Sequence, residues 1–326
     1  MILLFHAAIE IAKSQGGIGN SQPLFTLSLQ RTGMMMTIVL VIGTMTGGLL
    51  PLFPMLIQSA EATTTEVLKC FGGTPTIVGT DNDDVIQGTE GDEWIAGLGG
   101  NDRIYGNGGV DRLCGGDGDD RIYGGLGIDL IDGQNGRDRA FGEYGNDDLW
   151  GGAGDDRLYG GAGDDIIDGG DGNDGSIEGI YGGKGNDIIS SGGAGDDRLY
   201  GGKGNDFIDG FEGNDLINGG AGDDRLSGWK GNDSIYGNEG DDTAWGQEDE
   251  DALYGNAGND ELYGDSDEDV CENDDNEPVP CFGGGDKLYG NAGDDLLHGG
   301  VENDFGDGRA NFDTCVLVET ASNCEV

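Results

Sequence analysis

The chain has 326 residues, with 70 glycines and 64 Asp plus Glu against 16 Lys plus Arg, for a formal net charge of -48. That balance excludes nucleic acid as a partner, because a phosphate backbone needs cationic patches that so acidic a chain does not supply. Without counter-ions such a chain repels itself and stays expanded, so folding requires that something cationic enter the fold.

Residues 1–33 carry no structural signal and are treated as an unassigned leader extension. Residues 34–62 read MMMTIVLVIGTMTGGLLPLFPMLIQSAEA, an apolar run behind Arg31 that closes on Ala60-Glu61-Ala62, a small-residue site of the kind signal peptidase cuts. The reading is a signal peptide. Its alternative is a membrane anchor, with a membrane entering only if residues 34–58 stay uncleaved. Gly47, Gly48, Pro51 and Pro54 interrupt the run, and no cationic stop-transfer flank follows it. Residues 63–78 form an N-terminal cap.

From Gly79 a glycine falls at every ninth residue, at 79, 88, 97, 106, 115, 124, 133, 142, 151 and 160. An insertion from Gly175 to Glu178 stretches one copy, Ser191 adds one residue, and the register resumes at Gly192 and holds through Gly264. The copy at Gly264 carries a loop, the copy at Gly283 is two residues short, and further copies begin at Gly290, Gly299 and Gly308. About 25 copies thus cover 79–316, and 317–326 is a C-terminal cap tail. Repetition overrides the one-or-two-domain prior set by length, because an array extends without one large core.

Each copy reads G-G-x-G-[N/D]-D-x-[I/L]-x. The eighth position holds Ile86, Ile95, Ile104, Leu113, Ile122 and Ile131, and later Leu199, Ile208, Ile217, Leu226 and Ile235. One aliphatic per nine residues is too sparse for a helix stripe, but it suits a three-residue strand that points one side chain inward. Six glycine-rich residues then turn the chain. Two copies make an 18-residue coil, and about twelve coils at a strand spacing of roughly 4.8 Å stand on the order of 60 Å tall.

With these repeats the chain resembles the RTX (hemolysin-type) calcium-binding nonapeptide family. The resemblance implies an all-β fold, a parallel β-roll or β-solenoid stabilised by calcium with two repeats per coil. It also implies that the ion sits between turns of successive coils on one side, so that copies n and n+2 share it. The sixth position supplies the carboxylates: Asp84, Asp102, Asp111, Asp120, Asp129, Asp138, Asp147, Asp156, Asp165, Asp174, Asp187, Asp197, Asp206, Asp215, Asp224, Asp233, Asp242, Asp251, Asp260 and Asp295. Asp156 is expected to pair with Asp138 and Asp174, and Asp165 with Asp147. Calcium takes six to eight hard oxygens, from carboxylates and from carbonyls that glycine leaves unshielded. On the order of 20 calcium ions follow from this arrangement, and the acidic excess becomes ligand charge. Magnesium, which keeps its waters, and zinc, which wants nitrogen and sulfur, fit less well. Glu93 replaces the sixth-position aspartate in the second copy, and departures of this kind cluster toward the ends, where sites should be weak or absent.

Six cysteines in an exported chain favour disulfides. The sequence pairs Cys70 with Cys114, Cys271 with Cys281 and Cys315 with Cys324, although 15 pairings are combinatorially open. The family's better-known members are exported by an uncleaved C-terminal signal and avoid cysteine, and this chain departs from them on both points.

The ninth position carries Tyr105, Tyr123, Phe141 and Tyr159, 18 residues apart, beside Arg103, Arg121, Arg139 and Arg157 at the seventh. An outward aromatic ladder can bind a cell-envelope glycan or a surface protein, or it can simply be strand propensity. Only His6 and His298 occur, so histidine-based catalysis has no supply of bases and no enzyme is expected. The expected function is calcium binding by a secreted, cell-surface or extracellular structural protein. The alternatives are an adhesin or glycan-binding module and, less favoured, an accessory part of a secreted enzyme.

Overall fold

The computed structural model describes residues 25–31, 34–40, 71–175, 179–264, 271–272, 278–279, 285–299, 304–310, 313–316, 320–322 and 324. The chain divides into two units, Met1–Ser59 and Ala60–Val326. In the first, Phe25–Arg31 and Met34–Leu40 pair antiparallel. Most of the apolar run proposed as a leader, residues 41–62, lies outside the described residues.

The second unit is a parallel β-solenoid of two 13-stranded sheets, with no helix among the described residues. Successive strands alternate between the sheets. Sheet I runs from Val85–Gln87 to Thr320–Ser322, and sheet II from Ile77–Val78 to Thr314–Val316. Neighbours within a sheet lie one coil, or 18 residues, apart: Arg121 pairs with Arg139 and Leu130 with Asp148. The two insertions widen that interval without changing the register, since Ile166 pairs with Ile188 across the first of them.

The period of nine explains the core. The eighth residue of each copy points inward, and Ile95, Ile104, Leu113, Ile122 and their successors to Leu297 are fully buried in one continuous column. Ala140 and Ala244 take that place in two copies. A core this thin, one aliphatic per nine residues, must be closed by tight turns. The second residue of the inner copies adopts positive φ, as at Gly152 (106°), Asn107 (75°) and Gln134 (78°). Asn tolerates that region, whereas Phe211 (69°) and Trp229 (79°) are outliers for bulky side chains. Their exposed rings stack at 6.1 Å between centroids.

The structure corrects the copy count. A Cβ on Gly264 would touch the Asp286 Oδ2, and Ala252 pairs directly with Lys287. Gly264 and Asp286 are therefore the first and sixth residues of a single copy, and the interval of 35 residues from Asp251 to Asp286, in place of 18, means that this copy holds an insertion of 17 residues and takes the place of the two expected from Gly264 and Gly283. The described sixth-position carboxylates then number 24, from Asp84 to Asp313. Ser191, not Gly192, fills the first place of its copy: it is buried, its N–H donates to the Asp209 carbonyl, and its hydroxyl donates to the Gly210 carbonyl.

At the N-terminal end, Ile77–Val78 opens sheet II one strand before Gly79, and Thr76 exchanges hydrogen bonds with Trp94. Phe71 packs against Trp150 with ring centroids 5.8 Å apart. Cys114 is disulfide-bonded, while its expected partner Cys70 lies outside the described residues. Cys315 and Cys324 are joined, so the last coil is stapled. Cys271 lies in the short strand Cys271–Glu272, and its expected partner Cys281 lies outside the described residues.

Candidate metal centre

The sixth residue of each copy ends the turn just before the strand. Its side chain turns inward beneath the turn instead of out to solvent. Nineteen of the twenty expected aspartates, those from Asp102 to Asp295, are no more than 3% exposed. Each sends Oδ1 to the backbone N–H of the equivalent aspartate in the preceding coil. Asp138 N–H donates to Asp156 Oδ1 at 2.7 Å, Asp156 N–H to Asp174 Oδ1 at 2.7 Å, and Asp147 N–H to Asp165 Oδ1 at 2.8 Å. The two expected columns, one per side of the roll, are therefore built as expected, and Asp156 and Asp165 belong to different ones.

The other oxygen stands differently. In eighteen of these nineteen aspartates, Asp251 apart, Oδ2 is buried and without a hydrogen bond among the described residues. Asp313 shares the arrangement, and Asp286 and Asp304 lie buried in the same columns, with Asp251 N–H donating to Asp286 Oδ1 at 2.8 Å and Asp286 N–H to Asp304 Oδ1 at 3.0 Å. Counting in nines misses Asp286 because the loop separates it from Gly264. Asp304 and Asp313 lie in the last copies, where Glu302 and Asn311 hold the fourth position and where weak or absent sites were expected. The remaining expected residue, Asp84, behaves differently: its Oδ2 accepts from Thr80 N–H at 2.7 Å and from the Thr80 hydroxyl at 2.8 Å. Glu93, its neighbour in sequence phase, is held in the same way by Thr89.

Burial of so many carboxylates has an electrostatic signature. Desolvation, opposed by the Asp120 amide and reinforced by the carboxylates of Asp156 and Asp120, pushes Asp138 up to about 8. Asp174 and Asp215 rise to about 8 for the same leading reason, and Asp120, Asp147 and Asp156 to about 7. An ionised carboxylate with an unpaired buried oxygen is strongly unfavourable, so near neutral pH each place calls for a proton or a cation.

Oxygens other than carboxylates complete the donor set. A Cβ on Gly133, the first residue of the Asp138 copy, would touch Asp138 Oδ2 and lie 2.6 Å from the Gly151 carbonyl oxygen one coil on. Glycine at the first position thus keeps open a cradle shared by a carboxylate oxygen and a backbone carbonyl. Among the described residues no three His, Cys, Asp or Glu side chains converge on one point, and the oxygens that border the cradle are one carboxylate and one backbone carbonyl. Hard oxygens of this kind suit calcium and offer nothing to zinc.

Outside the turns, the rings of Tyr105, Tyr123, Phe141, Tyr159, Tyr181 and Tyr200 form one stack on sheet I, with centroids 4.7–5.2 Å apart and planes within 8°. Ring faces cover each other and edges face outward. This stack runs two rungs beyond the four residues expected from sequence, because the strands absorb the insertions.

No curated protein sequence matches the chain. The model of the RTX calcium-binding nonapeptide repeat matches it at 78–175, in overlapping segments, at 180–271 and at 282–315. Those matches span well over half of the chain and coincide with the described coils, so the protein belongs to the RTX calcium-binding nonapeptide repeat family and binds calcium through its repeats.

Proposed function

We propose that the chain is an exported protein whose roll folds on calcium outside the cell and acts there as an extracellular structural module. One observation carries the reading: 19 sixth-position aspartates, among them Asp102, Asp138, Asp156 and Asp313, each bury an Oδ2 that lacks a hydrogen bond among the described residues. Supplying that partner is what calcium does for this fold, and about twenty such ions, one per shared pair of turns, offset most of the formal charge of -48. The carboxylates and first-position carbonyls would hold the ions, and the threonine-held Asp84 and Glu93 would not. Extracellular calcium sites bind at about 0.1 to 1 mM, so the chain stays unfolded inside the cell and folds after export.

The leader at residues 34–62 and the cysteines fit the same route, the joined Cys315 and Cys324 being stable in an oxidising compartment. Among the described residues no helix is long and apolar enough to cross a membrane. No reaction is assigned, since the carboxylates that could serve as acids and bases are committed to the turns. A partner at the cell envelope, glycan or protein, is the second reading, favoured by the outward stack on sheet I.

Circular dichroism of the chain titrated with calcium tests the first reading. A β signal that appears between about 0.1 and 1 mM is expected, and none by about 10 mM, well above the weak-site range, overturns it.

A further inference from the structure

The two sheets share a core, but their outer surfaces differ. From Arg103–Gly108 to Arg198–Lys203, six consecutive strands of sheet I carry seven Lys or Arg and one acid, Glu143. The six facing strands of sheet II, Trp94–Gly99 to Ile188–Ser190, carry one Arg and five Asp. A chain with only 16 Lys plus Arg has gathered nearly half of them on part of one face, so the expectation from net charge that the chain supplies no cationic patch does not hold there.

The gathering is ordered. Arg103, Arg121, Arg139 and Arg157 occupy four successive rungs in direct register. Like charges directly opposite one another on a sheet destabilise it, and here they are stacked at about 4.8 Å. Ion pairs elsewhere, such as Arg137–Asp119, Lys230–Glu212 and Arg309–Asp307, involve none of Arg103, Arg121 and Arg139. Solubility does not explain the column, because a chain at -48 needs no further charge for it. An anion carrying repeated charges along the same axis does.

We propose that the arginine column of sheet I is a docking surface for an extended sulfated polysaccharide. The surface is the outer face of a parallel sheet whose rungs stand in direct register, which suits an extended polymer. Guanidinium forks match oxyanions bidentately, and the Tyr hydroxyls at the outward ring edges add one hydrogen-bonding group per rung on most rungs. The covered ring faces separate this partner from two others. Single-stranded nucleic acid relies on bases stacking on exposed aromatic faces, and a neutral glycan on sugar rings doing so, whereas the column offers charge and ring edges. Sulfate is favoured over carboxylate because millimolar calcium competes for carboxylates far better than for sulfate esters. The inference rests on the calcium-folded reading, since only in the calcium-loaded roll is the field of the turn carboxylates offset.

The experiment measures binding of the full chain, in calcium, to dextran sulfate, carboxymethyl dextran, neutral dextran and an oligonucleotide, with circular dichroism on the same samples. Dextran sulfate should bind most tightly. The variant Arg121→Gln/Arg139→Gln should weaken it at least tenfold, while Arg112→Gln/Arg225→Gln on sheet II, with the same change in charge, should stay within twofold. Equal losses in both variants, or equal or tighter binding of any other polymer, overturn the assignment. A chain that folds in calcium yet does not prefer dextran sulfate overturns it and leaves the calcium reading standing. A chain that fails to fold in calcium overturns both.

Discussion

The first two copies of the roll and the copies that follow solve one problem in two ways. In the first two, Thr80 and Thr89 occupy the second position without positive φ, and each ties the carboxylate four residues on through both its N–H and its hydroxyl. In inner copies the second residue is left-handed, its N–H points elsewhere, and the sixth-position Oδ2 is left buried with no partner. A local threonine clip therefore finishes the array at its N-terminal end without a metal. The repeating interior trades that clip for a tighter turn that needs a cation. The difference teaches that calcium dependence resides in the second position's backbone as much as in the aspartate.

The largest effect expected from this contrast is on the whole array, through pH in the absence of metal. Folded-state values raised to about 7 or 8, as at Asp120, Asp138, Asp174 and Asp215, exceed the ordinary value of 3.8. For groups raised on folding, the stability of the metal-free roll is fully present below about pH 4 and is lost as pH rises through about 6 to 8. In chelator, the β signal should thus be absent at pH 8 and return on acidification toward pH 4. Proton and calcium compete for the same oxygens, so the calcium midpoint should also climb as pH falls from 8 to 6. A chelated chain equally unfolded at pH 4 and 8 would contradict the burial-driven account of these carboxylates.

Next in size is the cradle. In Gly133→Ala the new methyl meets Asp138 Oδ2 and the Gly151 carbonyl, and the backbone cannot yield without breaking the coil stack. A loss of about 3 kcal/mol, the upper end of overpacking costs, and a fall in Tm of roughly 6 to 12 °C should follow in calcium. Asp138→Asn, which keeps the size and removes the charge, should be milder at about 1.5 to 3 kcal/mol, with bound calcium falling by one or two ions per chain. Asp84→Asn should leave the calcium stoichiometry unchanged, because its Oδ2 already accepts from both the N–H and the hydroxyl of Thr80. Equal stoichiometry in Asp138→Asn and the parent would remove Asp138 from the ligand set.

Much of this contrast was legible in the sequence, and the failures have physical causes. The glycine phase, the inward Ile and Leu and the pairing of Asp156 with Asp138 and Asp174 all follow from a fixed period of nine, which needs no tertiary information. That Glu93 stands apart was visible as a break in pattern, whereas Asp84 was expected to act like the other sixth-position aspartates, and the clip was visible at neither. Threonine at the second position reads as a lost glycine until its hydroxyl is seen on the carboxylate. Asp286 was misassigned for the opposite reason. Gly283, Gly284 and Gly285 imitate the start of a copy, whereas the first glycine of that copy lies before the loop, at Gly264. Local composition cannot tell an insertion inside a turn from one between turns. The arginine column was visible as spacing, yet the covered ring faces beside it depend on how tightly the strands stack.

The smallest effect has the opposite sign and is the most specific to the first copies. Gly91 holds the fourth position of the second copy, where it lacks the positive φ of its inner counterparts, and a Cβ there would approach nothing closer than Thr89 Oγ1 at 3.5 Å and Glu93 Oε1 at 3.7 Å. At the same position of an inner copy, Gly145 has φ of 142° and its missing Cβ would collide with the Gly127 carbonyl. One substitution therefore meets two environments. Gly91→Ala should stabilise by about 0.4 to 1 kcal/mol, by restricting the unfolded chain without straining the folded one. Gly145→Ala should destabilise by more than that gain. Thermal unfolding of the two variants in saturating calcium reads the pair directly, and a destabilised Gly91→Ala would mean that the first copies close as the inner ones do, with the threonine clip playing no separate part.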